Sequence, residues 1–340
     1  MHQPKVDRRR PPLARLLSLL VAVFLVVPVL AFVRSAVVSA AFVAEFLTDG
    51  AVTALSRLSE RPRRADANLP GASADAYTLS VRDHRTPLVL VHGLSPDGKD
   101  DPRLVRAANL LARVGFEVTV PTIPGLTRWR LRPEDRQPVV TILSTRAAPA
   151  VVVGVSVGAG VALLAAAEPA VRDHVRLVLS LGGYASARQL VRFYLTGDYA
   201  YDGARGHARH DPELVRAFLT ANADLLDPSA QRLLGSSDPA AFTTALDALS
   251  PGLARLLDAL SPERVARDIT ARLVLVHGRN DIAVPYSETL RLAAARPEKT
   301  RVVLVGVVGH VEHASGALEW RQVVDLIRLW TAMYTLTAAA

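Results

Sequence analysis

Cysteine is absent from the 340 residues. That excludes a disulfide framework, thiolate catalysis and any cysteine-held zinc or iron–sulfur centre, and leaves the redox compartment open. Aromatic residues are scarce, at 5%, so the ring clusters that often betray a substrate pocket are missing. No glycine-rich phosphate loop of the required spacing is present, and nothing supports nucleotide use. A basic stripe on the main body is missing too. The net charge is +8, but residues 1–70 carry ten Lys and Arg against five Asp and Glu, and the rest carry 30 against 27. This distribution speaks against a nucleic-acid partner and for a tail at a membrane surface. What the chain has in quantity is apolar side chains, at 50%, with a positive mean hydropathy. Disorder is thereby excluded, and the length suits one large domain with additions.

The first addition is amino-terminal. Lys5, Arg8, Arg9, Arg10 and Arg15 precede an apolar run from Leu16 to Val33. As a helix those residues span about 27 Å, close to a hydrocarbon core of about 30 Å. Pro28 is tolerated in such a span. A single-pass anchor is the expectation, with a cleaved signal peptide as the alternative and the small residues Ser39-Ala40-Ala41 as its cleavage site. The basic residues on the amino side place the main domain outside the cytoplasm by the positive-inside rule. Residues 35–56 are also apolar, and Arg57, Arg61, Arg63 and Arg64 follow, so re-entry into the membrane and a cytoplasmic domain is the other option. Glu45 and Asp49 make re-entry costly and favour an amphipathic interfacial helix. Residues 60–76, with two Pro and one Gly, read as a linker.

From residue 77 short β-branched runs alternate with helical patterns. The runs are 87–91, 116–120, 151–155, 177–179, 273–276 and 302–305, each nearly continuous, as expected of strands buried on both faces of a parallel sheet. Leu104, Val105, Ala108 and Leu111 stand at helical spacing between the first two, ended by Gly115. The expectation is an α/β fold with a doubly wound, mostly parallel sheet. Residues 184–271 interrupt the alternation. Pro212, Pro228, Pro239, Pro251 and Pro262 near helix starts mark an inserted helical lid. The chain then divides into a basic and transmembrane or signal-anchor segment, 1–34; an amphipathic segment and linker, 35–76; a core, 77–183 and 272–340; and the lid.

The sharpest local pattern is Gly154-Val155-Ser156-Val157-Gly158, placed between the 151–155 strand and the helix-like 159–167. A serine nucleophile needs its hydroxyl lifted out of a tight strand-to-helix turn, and glycines two positions either side leave room for that backbone. The bland reading is a small-residue turn in an Ala- and Gly-rich chain. A serine hydroxyl also needs a base and an orienting carboxylate. Asp281 lies just past the 273–276 strand, and His310 and His313 just past 302–305, at the edge where open α/β sheets build their sites.

The order Ser156, Asp281, His310 and the strand spacing resemble the α/β-hydrolase superfamily over residues 77–335. The resemblance implies Ser156 as nucleophile, His310 as general base and later acid, and Asp281 as the group that orients the imidazole. His313 is the alternative base, and Glu312 beside it reads as solvated. Asp247, Asp258 and Asp268 are rivals of Asp281, but they sit in lid helices where exposed charge is the rule. The oxyanion calls for two backbone donors. Val157 N–H follows the nucleophile, and His92-Gly93-Leu94 resembles the family's oxyanion turn, with Leu94 N–H as second donor. His92 and His277 are expected to be structural. A serine at the elbow departs from the branches that the resemblance associates with an aspartate nucleophile.

These residues imply a hydrolase of carboxylic esters, thioesters or related acyl bonds, working through an acyl-enzyme without cofactor or metal on a small-molecule or lipid-like acyl substrate. An acyltransferase with the same three residues, or a binding module on a hydrolase scaffold, are the alternatives, and the oligomeric state is not legible. His207, His210 and Asp211 are expected to be solvated rather than metal ligands. Asp97, Gly98, Asp100 and Asp101 are expected to cap the next helix. Arg128, Arg130 and Arg132 form a basic turn, solvated or facing an anionic group.

Overall fold

The computed structural model describes residues 12–80, 85–225, 231, 244, 249–306 and 320–339. Its strands are β1 Arg63–Asp66, β2 Ala74–Thr78, β3 Thr86–Val91, β4 Phe116–Pro121, β5 Ala150–Val155, β6 Val175–Leu181, the hairpin β7 Asp198–Tyr201 and β8 Ala204–His207, β9 Arg272–Gly278 and β10 Thr300–Val305. Eight of them form one sheet in the order β1-β2-β4-β3-β5-β6-β9-β10. β1, β2 and β4 pair antiparallel, and every pair from β4 to β10 is parallel. The apolar runs form the six central and far strands as expected, because residues such as Val89, Leu90, Val151, Val152, Leu273 and Leu275 are buried between two helical layers.

The described helices are α1 Pro12–Leu47, α2 Ala54–Leu58, α3 Pro102–Val114, α4 Gln137–Ser144, α5 Val157–Ala166, α6 Ala187–Thr196, α7 Pro212–Ala221, α8 Pro251–Ala259, α9 Pro262–Val265, α10 Ser287–Ala295 and α11 Trp320–Thr337. One core cluster gathers α4, α5, α6 and α10 on one face of the sheet. The other gathers α1, α3 and α11 on the opposite face. α3 shows how sequence sets a helix. Asp101 caps its start by accepting from Arg103 N–H at 2.9 Å, Pro102 takes the first position, Leu104, Ala108 and Leu111 line the buried face, and Gly115 at φ +126° ends it.

Three stretches differ from the expectation. Residues 35–47 do not form a separate interfacial helix: they continue α1 without a break and dock on α3 and α11, because their polar residues find partners there. Ser39 Oγ lies 2.6 Å from Thr337 Oγ1, and Glu45 is 4% exposed. Residues 63–66, inside the expected linker, form β1 at the sheet edge. All four are exposed, so no apolar run announces the strand, and charge on an edge is the usual guard against further pairing. The insertion between β6 and β9 carries the hairpin β7–β8 besides helices. Pro212, Pro251 and Pro262 stand at helix starts as expected; Pro228 and Pro239 lie outside the described residues.

Candidate active site

β5 delivers Ser156 to the carboxyl edge of the sheet, and α5 begins at the next residue. Ser156 has φ +52° and ψ −131°, a backbone region that side chains rarely adopt and that must be held by its surroundings. Two hydrogen bonds hold it: its N–H donates to the Leu181 carbonyl at 2.7 Å, and its carbonyl accepts from Ala159 N–H at 2.9 Å. The flanking glycines are required by close approach. A Cβ at Gly154 would come within 2.9 Å of Ala159 N, and one at Gly158 would overlap the His92 carbonyl oxygen.

That carbonyl belongs to the turn after β3. His92 is buried and has both ring nitrogens engaged: Nδ1–H donates to the Gly93 carbonyl at 2.7 Å, and Nε2 accepts from Ile123 N–H at 2.9 Å. Burial lowers the His92 pKa, only partly offset by the Gly93 bond, so the ring is a neutral strut. Gly93 brings the turn against the serine, its Cβ direction 3.2 Å from Ser156 Cβ. Among the described residues neither Leu94 N–H nor Val157 N–H donates to a backbone carbonyl, and both residues border the same cavity as Ser156.

Asp281 sits in the turn after β9. Its Oδ1 accepts from Ala283 N–H at 2.8 Å and Val284 N–H at 3.0 Å. Its Oδ2 lies 3.5 Å from His277 Nε2 and faces Gly182, where a Cβ would stand 3.2 Å away. Burial pushes this carboxyl up, but the His277 N–H and the two amides outweigh it, and its pKa lies below the usual carboxylate value. His277 is itself buried and committed. Its Nε2 bonds the Val284 carbonyl at 2.8 Å and its Nδ1 the Thr289 hydroxyl at 2.7 Å. Nε2–H therefore serves the carbonyl first and reaches the carboxylate only as a nearby dipole. Asp281 is left ionised, and among the described residues only His277 approaches its Oδ2.

His310, His313 and Glu312 lie outside the described residues. The chain leading to them leaves the sheet at the relevant place: Val305 pairs with Gly278, its carbonyl accepts from Arg279 N–H at 2.7 Å, and β10 ends there. The registers Val155 to Leu181 and Leu181 to Val276 align the ends of β5, β6 and β9 with it. Asp258 pairs with Arg264 on the surface of the insertion and Asp268 is exposed, while Asp247 lies outside the described residues.

A cavity of about 570 Å³ opens over Ser156, within the range of small-molecule sites. Besides the residues of the edge, Trp129, Tyr194, Phe218 and Phe46 border it. Sequence reasoning missed these four. In a chain so poor in aromatics, their spacing along the polymer gives no pattern, and only the fold gathers them. His210 also borders the cavity, its ring 4.5 Å from that of Phe193 and its Nε2–H on the Phe193 carbonyl at 3.1 Å. His207 pairs with Asp198, and Asp211 caps α7 through Glu213 N–H, so these three have separate tasks. Asp101 does cap α3. Arg130 and Arg132 pair with Asp224, and Arg132 also reaches Asn222 Oδ1 at 2.9 Å. That basic turn ties the loop after β4 to the insertion, whereas Arg128 is exposed.

No protein-family model matches the sequence, and no curated protein matches it. Among solved structures the chain is similar to a puromycin-hydrolyzing peptidase of Mycobacterium tuberculosis, with a TM-score of 0.50, 20% identity, and 84% of this chain covered against 40% of that one. It is also similar to Est1E from Butyrivibrio proteoclasticus, with a TM-score of 0.47 and 13% identity over 82% of this chain and 97% of that one. The chain spans two fifths of the length of the peptidase, and at such identities the likeness is one of fold.

Proposed function

We propose that this protein, whose fold is that of the α/β-hydrolases, is a membrane-anchored serine hydrolase that cleaves a carboxylic ester, thioester or related acyl bond. The observation that carries the reading is that Ser156, held at positive φ, and Asp281, an ionised carboxylate, both stand past strand ends on the same edge of the sheet. In this reading Ser156 Oγ attacks the acyl carbonyl while His310 takes its proton. Asp281 Oδ2 accepts from the other nitrogen of that imidazole and fixes its tautomer. The amides of Leu94 and Val157, with the amino end of α5 behind the second, hold the oxyanion; one such donor is worth about 10²–10³ in rate. His310 returns the proton to the leaving alcohol or thiol as the carbonyl bond to it breaks. Water then attacks the acyl-enzyme by the reverse course and releases the acid.

Residues 26–47 form a helix long and apolar enough to cross a membrane. Phe24, Leu30 and Val37 are 78%, 62% and 61% exposed, surface that water disfavours and hydrocarbon accepts. In this reading the exposed part of α1 is a retained anchor, and the basic residues before it keep the main domain outside the cytoplasm.

A fluorophosphonate probe tests the catalytic reading. We expect an adduct mass on Ser156, absent in Ser156→Ala, weak in His310→Ala and retained in His313→Ala. A folded wild-type chain that stays unlabelled overturns it, and labelling lost in His313→Ala but kept in His310→Ala reassigns the base.

A further inference from the structure

The carboxyl half of α1 is built into the body of the protein. Trp330 Nε1–H donates to the Ala36 carbonyl at 2.9 Å, the Tyr334 ring meets Phe32 edge-on at 5.6 Å, and Phe42 and Val43 are buried against the α3 and α11 face of the sheet. Glu45 ties α1 to the amino end of α2. Its carboxylate accepts the N–H groups of Leu55 and Ser56 at 3.0 Å each and the Ser56 hydroxyl besides. Beyond it, Asp49 pairs with Arg106 of α3. One turn past Phe42, the Phe46 ring stacks on it at 5.8 Å and 13°. Phe46 is half-buried, and its remaining surface borders the cavity of Ser156 together with Leu104 and Ala107 of α3. Phe218 of α7, which also borders the cavity, belongs to the core cluster on the other face of the sheet. The cavity therefore extends from the nucleophile towards the helix that leads to the membrane.

We propose that Phe46 is a specificity-determining residue of the acyl pocket, so that the anchor helix itself sets the acyl length the enzyme takes. The proposal rests on the serine-hydrolase reading above. An acyl chain bound at Ser156 needs an apolar channel, and the Phe46, Leu104 and Ala107 wall supplies one on the α3 side. The ring at position 46 is its bulkiest member and is held by the stack on Phe42 and by the bonds of Glu45, one residue before it, to the amides of α2. An aromatic ring held in this way does not swing aside, and one methylene in an apolar pocket changes specificity by about 10–200-fold.

The test uses the full chain in detergent micelles and a series of p-nitrophenyl esters from acetyl to palmitoyl. Phe46→Ala is expected to raise kcat/KM for the longer esters, relative to the acetyl ester, by about tenfold or more; Phe46→Leu is expected to do so less, and Phe46→Trp to lower the same ratio by about tenfold. Formation of the Ser156 fluorophosphonate adduct by each variant shows that it has folded. A profile that stays the same in all three labelled variants overturns the proposal while leaving the hydrolase reading intact. A wild-type chain that neither labels nor cleaves any ester overturns both.

Discussion

The Ser156 N–H is hooked onto the Leu181 carbonyl of the neighbouring strand at 2.7 Å, and this bond keeps the serine at a φ of +52°. Such a conformation costs about 1–3 kcal/mol for a residue with a Cβ. Ser156→Ala is expected to retain that strain and lose activity. Ser156→Gly is expected to lose activity equally but to unfold at higher denaturant, more stable than the alanine variant by about 1 kcal/mol once the greater freedom of unfolded glycine is allowed for. Equal midpoints for the two variants would mean that the turn is unstrained.

Gly158 allows the elbow and the His92 turn to touch. A methyl group there overlaps the His92 carbonyl, and backbone cannot step aside as a side chain does. We expect Gly158→Ala to destabilise the protein by about 1–3 kcal/mol, the range for overpacking. Ser156 labelling should fall with it, because the shift moves the His92 turn, and Leu94 with it, away from Ser156.

Glu45 is a buried acceptor for three donors. Glu45→Ala leaves the Leu55 and Ser56 N–H groups unpaired, at about 1–3 kcal/mol. Hydrogen exchange is expected to accelerate at residues 54–58 before the sheet is affected. Unchanged exchange there would show that α2 does not depend on the carboxylate.

His92 sets a pH dependence whose sign follows from its burial. The folded-state pKa is lowered, so the unfolded chain takes up a proton at higher pH than the folded one, and stability rises with pH where the two differ. The contribution is complete above about pH 6.5, the ordinary histidine value, and is lost as pH falls through the folded pKa. His210 is shifted in the same direction, by burial first. Denaturant midpoints at about pH 7.5 and about pH 5.5 should therefore differ in the wild type and differ less in His92→Gln.

Much of the fold was legible because buried parallel strands are written in β-branched runs. Val151–Val155 and Leu273–Val276 could hardly be anything else once helices were read between them. β1 was not legible. Arg63, Arg64, Ala65 and Asp66 are exposed, and what makes them a strand is pairing with β2 and the Arg64 to Asp75 contact at 2.5 Å, neither of which leaves a local signature. At the candidate site, the positions of Ser156 and Asp281 past the ends of β5 and β9 were legible. The commitments of His92 and His277 were expected, but not the bonds that enforce them. The docking of residues 35–47 was hidden because hydropathy scores a lipid-facing and a protein-facing apolar surface alike. Ser39 and Glu45 were its signals, polar residues that make sense only against a partner such as Thr337 or the α2 amides.

α1 runs as one helix from Pro12 to Leu47 with Pro28 inside it, so in the anchor reading the length in a bilayer and the length clamped into the protein belong to one rod. A globule on a slack leash samples every heading and a range of heights above its membrane. In the anchor reading this one is mounted like a blade in a handle. As an anchor, α1 would hold the cleft within a narrow range of height and heading above the lipid, and reorienting it would require tilting the helix, bending it at Pro28 or tearing the clamp apart.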